Sequence, residues 1–164
     1  MEKKFGLSMT LPENKLPGFY AQIVKGIAER APLYDRHKEL LIFDKREHLP
    51  SVEQFLTRYN VAFEPRPLLE LPENGVVRTG LFDDYGFESR AGNAYLDLTS
   101  TALFRLAESE PDASIAPARW QLEEHLVCSI EADGRTAFAI DGGLQELADR
   151  IARAYGCRTE WLDE

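Results

Sequence analysis

Residues 119–156 read RWQLEEHLVCSIEADGRTAFAIDGGLQELADRIARAYG, and both periods from which folds are built occur in this stretch. From Trp120 through Leu122, Glu124, Leu126, Cys128 and Ile130 every second residue falls on one face, so the period of two marks a long strand from Arg119 to Glu131. Asp133-Gly134 follows, a pair that accepts the positive φ angles of a tight hairpin. A return strand then runs from Arg135 to Ile140. Beyond Asp141 the period changes to 3.6. Leu144, Leu147, Ala148, Ile151 and Tyr155 share one helical face, and Gly156 stops the helix. Asp141 is placed to cap it. A hairpin followed at once by an amphipathic helix is the grammar of an α+β fold.

Reading back to the N-terminus extends the pattern. Phe5, Leu7, Met9 and Leu11 alternate with Lys4, Gly6, Ser8 and Thr10, which predicts a half-buried strand closed by a Pro12-Glu13-Asn14 turn. Leu16 to Ala31 carries a helical stripe through Phe19, Tyr20, Ile23, Val24 and Ile27, with Pro17 at its start and Pro32 as its stop. Leu40-Leu41-Ile42-Phe43 is apolar on both faces, as a central strand is. Ser51 and Gln54 match a capping box before Val52, Phe55, Leu56 and Tyr59. Pro65, Pro67 and Pro72 predict an irregular edge from Val61 to Leu71, followed by a strand from Val76 to Phe82. Asp83 to Gly92 reads as an exposed loop, and Ala94, Leu96 and Leu98 as a strand. Thr99 or Ser100 caps a helix through Ala102, Leu103, Leu106 and Ala107, with a polar loop from Glu108 to Ala118. The expectation is one α+β domain over residues 1–164, a single mixed or mostly antiparallel sheet with about four helices packed on it, and no internal repeat.

Composition narrows the function classes. The 164 residues carry 19 Lys/Arg against 28 Asp/Glu, a net charge of −9. The imbalance is local: residues 1–60 hold ten basic and eight acidic side chains, and residues 61–164 hold nine and twenty. All six lysines lie at or before Lys45. Phosphate contacts need a basic surface, so nucleic acid and anionic membranes are disfavoured. No stretch approaches the ~20 apolar residues of a spanning helix and no secretory leader is legible, so a cytoplasmic protein is expected. Cys128 and Cys157 are too few and too far apart for a disulfide framework and read as buried thiols.

Specific chemistry is hard to find. His37, His48 and His125 stand apart, and no HxxxH or CxxC occurs, so no metal or cofactor is expected. A G-x-S-x-G elbow is absent. The Gly142-Gly143 turn has the strand–turn–helix order of a nucleotide site, but only two glycines, no following lysine and Asp141 already at the cap.

One position breaks its own pattern. Glu124 falls on the apolar face of the long strand, where an unpaired carboxylate would cost several kcal/mol. A β-bulge, a place beyond the covered core, or an arginine partner in a functional pocket would each resolve it. The opposite face, with Gln121, Glu123, His125, Val127, Ser129 and Glu131, joins Asn93, Tyr95 and Asp97 if both lie on one side of the sheet. Asp83, Asp84, Tyr85, Phe87 and Glu88 would rim that acidic, aromatic surface. The favoured reading is a binding protein for a basic protein partner, such as an immunity protein that neutralises a toxin. The alternatives are an enzyme or regulatory domain with a carboxylate site around Glu123, Glu124, His125 and Asp97, or a structural or adaptor subunit using the helix stripes or the Trp161-Leu162 tail.

Overall fold

The fold is described from a computed structural model, over residues 1–13, 15 and 17–162. The predicted positions Asn14, Leu16, Asp163 and Glu164 lie outside them. Among the described residues the chain is α+β, with five α-helices and eleven strands, but the strands form two antiparallel sheets instead of the single sheet expected. The chain divides into two compact units, Glu2–Glu70 with Glu88–Asn93, and Leu71–Phe87 with Met1 and Ala94–Glu164. They are called here the N-terminal and C-terminal units.

The N-terminal unit runs β1 (Glu2–Thr10), α1 (Phe19–Ala28), β2 (Asp35–His37), β3 (Leu40–Phe43), α2 (Leu49–Arg58) and β4 (Ala62–Glu70). Its strands lie in the order β2-β3-β1-β4, each antiparallel to its neighbour. Leu7, Met9, Leu41 and Phe43 from the sheet meet Ile23 and Ile27 of α1 and Val52, Phe55 and Leu56 of α2. Burying each such side chain contributes roughly 1.5–3 kcal/mol. All four residues of β3 are buried, as the doubly apolar run predicts.

Three expectations fail here. Val61–Leu71 is no irregular edge, because β4 pairs with β1 along nine residues. Pro65 and Pro67 are two apart, so both missing N–H groups fall on the same side of the strand and leave the other side able to pair. Ser51 does not cap α2. The helix begins at Leu49, with a proline in its first turn, and the Ser51 hydroxyl donates to the His48 carbonyl at 3.3 Å. Finally, the polar face of β1 is not open: Lys4 is 2% exposed.

Lys4 is tolerated inside because it is surrounded by acceptors. Its ammonium lies 2.5 Å from Asp44, 3.0 Å from Glu2 and 3.5 Å from Glu70. It also sits 4.2 Å from the centroid of the Tyr34 ring, whose hydroxyl donates to Glu70 at 2.8 Å. Burial works against the charge, and the hydrogen bonds to Asp44 and Glu2 outweigh it, so the Lys4 pKa rises. The same hydrogen bond holds the Asp44 carboxyl below its usual range.

The C-terminal unit begins with β5 (Val76–Arg78), α3 (Phe82–Tyr85) and the short strands β6 (Gly86–Glu88), whose last residue belongs to the other unit, and β7 (Ala94–Asp97). It continues with β8 (Thr101–Glu108), α4 (Ile115–Leu122), β9 (Leu126–Ala132), β10 (Arg135–Asp141), α5 (Gln145–Ala154) and β11 (Cys157–Trp161). Its main sheet is ordered β11-β8-β10-β9-β5. The predicted hairpin forms: Asp133 and Gly134 have φ of 53° and 72°, the two positive angles of its tight turn. Asp141 accepts from the Gly143 amide at 2.7 Å, and Gly156 ends the last helix at φ 71°. Leu144, Leu147, Ala148, Ile151 and Tyr155 face the core as their period requires.

Two elements here were misassigned by period. The helix expected after Thr99 is strand β8, which pairs with both β10 and β11. Thr99 is instead held in a turn by the Asp97 carboxylate, which accepts from its amide at 2.9 Å. The long strand expected from Arg119 starts only at Leu126. Before it stand α4, which buries Ala118 and Leu122 four residues apart, and a 3-10 turn at Glu123–His125.

From β8 onward this unit repeats the topology of the first. Each is β-α-β-β-α-β, the split βαβ motif, with strand order second-third-first-fourth and every pairing antiparallel. The repeat expected to be absent is present in the connectivity. Among the described residues no helix is long and apolar enough to cross a membrane.

The Lys4 cluster generates a stability test. Lys4→Met keeps the stem but removes the charge, and should cost ~1–3 kcal/mol in urea denaturation at neutral pH, less than a fully buried pair because its carboxylates are partly solvated. Asp44, with a lowered folded pKa, stabilises above the ordinary carboxylate pKa of about 4 and loses that contribution as acid protonates it. The variant should therefore lose less stability than the wild type between neutral pH and pH ~3.

Candidate functional site

The acidic character belongs to the C-terminal unit. It carries seven Lys/Arg and seventeen Asp/Glu, a net of −10, against +1 for the N-terminal unit. Within it, α4 is a short helix with one buried edge. Ala118 and Leu122 face inward, which turns Trp120 to solvent, and its indole is 79% exposed. Sequence reading placed Trp120 on a buried strand face. The helix reverses it, because a residue two positions from each of two buried helical residues points away from both.

The chain then turns through Glu123, Glu124 and His125 before entering β9. Glu124 is therefore neither buried nor on a strand. Its side chain is 77% exposed, and its carboxylate lies 3.4 Å from the His125 ring nitrogen Nε2. Neither a β-bulge nor an arginine partner resolves it: Glu124 lies outside the covered core, ahead of the strand. Trp120, Gln121, Glu123, Glu124 and Tyr155 line an open depression of about 610 Å³ between α4 and the end of α5. One edge is tied by the Tyr155 hydroxyl, which donates to Gln121 Oε1 at 2.6 Å.

The other predicted residues scatter. Val127 and Ser129, expected on the open face of the long strand, are buried. Tyr95 is fully buried and stacks on Phe87 with ring centroids 5.2 Å apart. Asp97 accepts from the Thr99 amide and hydroxyl. Asp83 and Asp84 are exposed on α3, and Glu88 is exposed in β6. Tyr85 donates to Asp141 at 2.5 Å, a bond that raises the tyrosine pKa and lowers that of the aspartate. Of the residues expected to form one surface, the structure keeps Gln121 and Glu123 at the depression, joined there by Glu124, with His125 beside them.

Comparison with protein-family models, curated proteins and solved structures finds no match. The geometry alone therefore carries the functional argument.

Trp161 has a different fate from Trp120. Its ring packs 4.9 Å from Phe104, and its indole N–H donates to Asp149 at 3.0 Å, with Thr159 donating to the same oxygen. Trp161 is the last residue of strand β11 in its own unit. Cys128 and Cys157 are both free and buried, and burial pushes the Cys128 thiol up to about 11. No group of three or more His, Cys, Asp or Glu among the described residues is placed to hold a metal ion.

The contrast between the two tryptophans is measurable. Trp120→Ala should change stability by no more than ~0.5 kcal/mol, as exposed positions do. Asp149→Ala strips both Thr159 and Trp161 of their acceptor and should cost ~1–3 kcal/mol by chemical denaturation.

Proposed function

We propose that the chain is a protein-binding module that takes a basic partner on the α4 face of its C-terminal unit. One observation carries the reading: a tryptophan 79% exposed beside two solvated carboxylates, in a unit of net charge −10. Burying an indole of this size at a contact contributes the slow release typical of interface hot spots. The surrounding negative field speeds encounter with a cation and discourages acidic proteins. The Gln121–Tyr155 hydrogen bond holds the depression in shape before binding, which lowers the ordering cost.

An inhibitor role fits this chemistry, since such a module acts by occupying its partner's surface. The immunity-protein reading, with a basic toxin as the partner, is its specific form. The enzyme reading has less support: Glu124 and His125 sit in an exposed turn, and Asp97 is engaged by Thr99.

Co-purification from the native host, with wild type and a Trp120→Ala/Glu123→Gln variant in parallel, tests the proposal. The wild type should recover one stoichiometric basic protein, and the variant should lose it by at least about tenfold in affinity, as hot-spot truncation does. The association rate should fall steeply with added salt. A partner held equally by the variant, or one whose association ignores salt, would sink the reading.

A further inference from the structure

The N-terminal unit has its own version of the valley between helices, and there it is filled. The correspondence rests on burial and backbone angles. Val52, Phe55 and Leu56 are the buried residues of α2, and Ala148, Ile151 and Ala152 are those of α5, at the same spacing. Each helix is ten residues long and is followed by a tyrosine, Tyr59 or Tyr155. Each tyrosine precedes a residue of positive φ, Asn60 at 57° or Gly156 at 71°. In the first helix of each repeat, Ile23 and Ile27 correspond to Ala118 and Leu122, again four apart. This register sets Lys25 against Trp120, Gly26 against Gln121, and Arg30 against His125.

Arg30 closes the valley of the N-terminal unit. Its guanidinium carbon lies 4.1 Å from the centroid of the Phe55 ring, and one of its nitrogens donates to the Gly26 carbonyl at 2.8 Å. Phe55 in turn packs on Tyr59 at 4.7 Å. Phe55 reaches this place because Gly26 has no side chain: a Cβ there would meet the ring at 2.3 Å. The depression that remains measures about 320 Å³.

The C-terminal unit has no such plug. His125, at the position of Arg30, is beside Glu124 and does not line the depression. The residues that do line it supply two aromatic rings, two carboxylates and no cation, and the space is about 610 Å³. One repeat thus shows, occupied from within, the kind of group that would satisfy the other.

We propose that the Trp120 depression, the counterpart of the one that Arg30 fills in the N-terminal unit, receives an arginine side chain of the partner protein, with Trp120 in place of Phe55 as the ring it stacks on. This rests on the basic-partner reading above and narrows it. The guanidinium stacks on the Trp120 indole and pairs with Glu123 and Glu124. Arginine suits the site better than lysine because its planar, weakly hydrated head stacks on a ring while its edge donates to carboxylates. A lysine ammonium keeps the charge attraction but cannot stack with the same geometry.

The test is calorimetric titration of the full chain with two short peptides of equal length and charge, one alternating Gly and Arg, the other Gly and Lys. The arginine peptide should bind about tenfold more tightly. Trp120→Ala, whose thermal unfolding serves as the folding control, should remove that preference. Glu123→Gln with Glu124→Gln should weaken both peptides. Equal binding of the two peptides, or a preference that survives Trp120→Ala, overturns the arginine assignment while leaving the basic-partner reading to the co-purification result. Binding of neither peptide also overturns it.

Discussion

Each unit depends on two helices laying an apolar stripe on one face of an antiparallel sheet. The second helix does this with residues at i, i+3 and i+4, and the first with residues at i and i+4. That contact fixes the helix axes, and the axes leave a valley between them. What fills the valley is then a matter of side-chain size. In the N-terminal unit a large residue, Phe55, enters against Gly26. In the C-terminal unit the facing residues include Ala118, Ala148 and Ala152, and the edge of the valley is held by a polar pair, Gln121 and Tyr155. The outward aim of Trp120 follows from the burial of Ala118 and Leu122, so the candidate site is a by-product of core packing.

The sequence was most legible where one period ran without competition. Residues 126–156 carry a hairpin with a matching turn and a helix with a matching stop, and the structure keeps all of them. Residues 115–125 defeated the same reasoning. Ala118, Leu122 and Leu126 are four apart, so they fit an alternating strand and a helical edge equally well. An eight-residue helix with Pro117 inside its first turn offers too little length to decide. The Thr99-Ser100 pair looked like a helix cap, but the Asp97 carboxylate and carbonyl accept from this segment and hold it as a turn between strands. Choosing the wrong period for 115–125 buried Trp120 and gave Glu124 a conflict that it does not have, whereas Val127 and Ser129 were misplaced because residues 126–130 are buried on both faces of β9.

The repeat was invisible for a related reason. Matching core positions share burial and not identity: Val52 corresponds to Ala148 and Phe55 to Ile151, while the space left by Gly26 corresponds to Gln121. Volume lost at one position is recovered at another, because a core asks for filled space and correct polarity more than for particular residues. What survives comparison is the backbone signature, a ten-residue helix, a tyrosine and a left-handed residue before the last strand. A topology can therefore recur where no stretch of letters does.

The two units also divide the charge, and this bears on recognition. The N-terminal unit is near neutral, and its one deeply buried cation, Lys4, is met by three carboxylates and a tyrosine ring. Arg30 is likewise spent on an aromatic ring within the same unit. Cation and π-face thus meet inside the N-terminal unit at Tyr34 and at Phe55, as they also do at Phe5, Phe19 and Tyr20. The C-terminal unit reverses the balance at α4: its aromatic face and carboxylates are at the surface, and the residue in the place of the matching arginine is a histidine turned toward Glu124. The arginines that this unit does stack on rings, Arg78 on Phe82 and Arg119 on Phe138, are engaged away from Trp120, and no cation lines the depression. The physics that closes one valley is the physics that makes the other receptive.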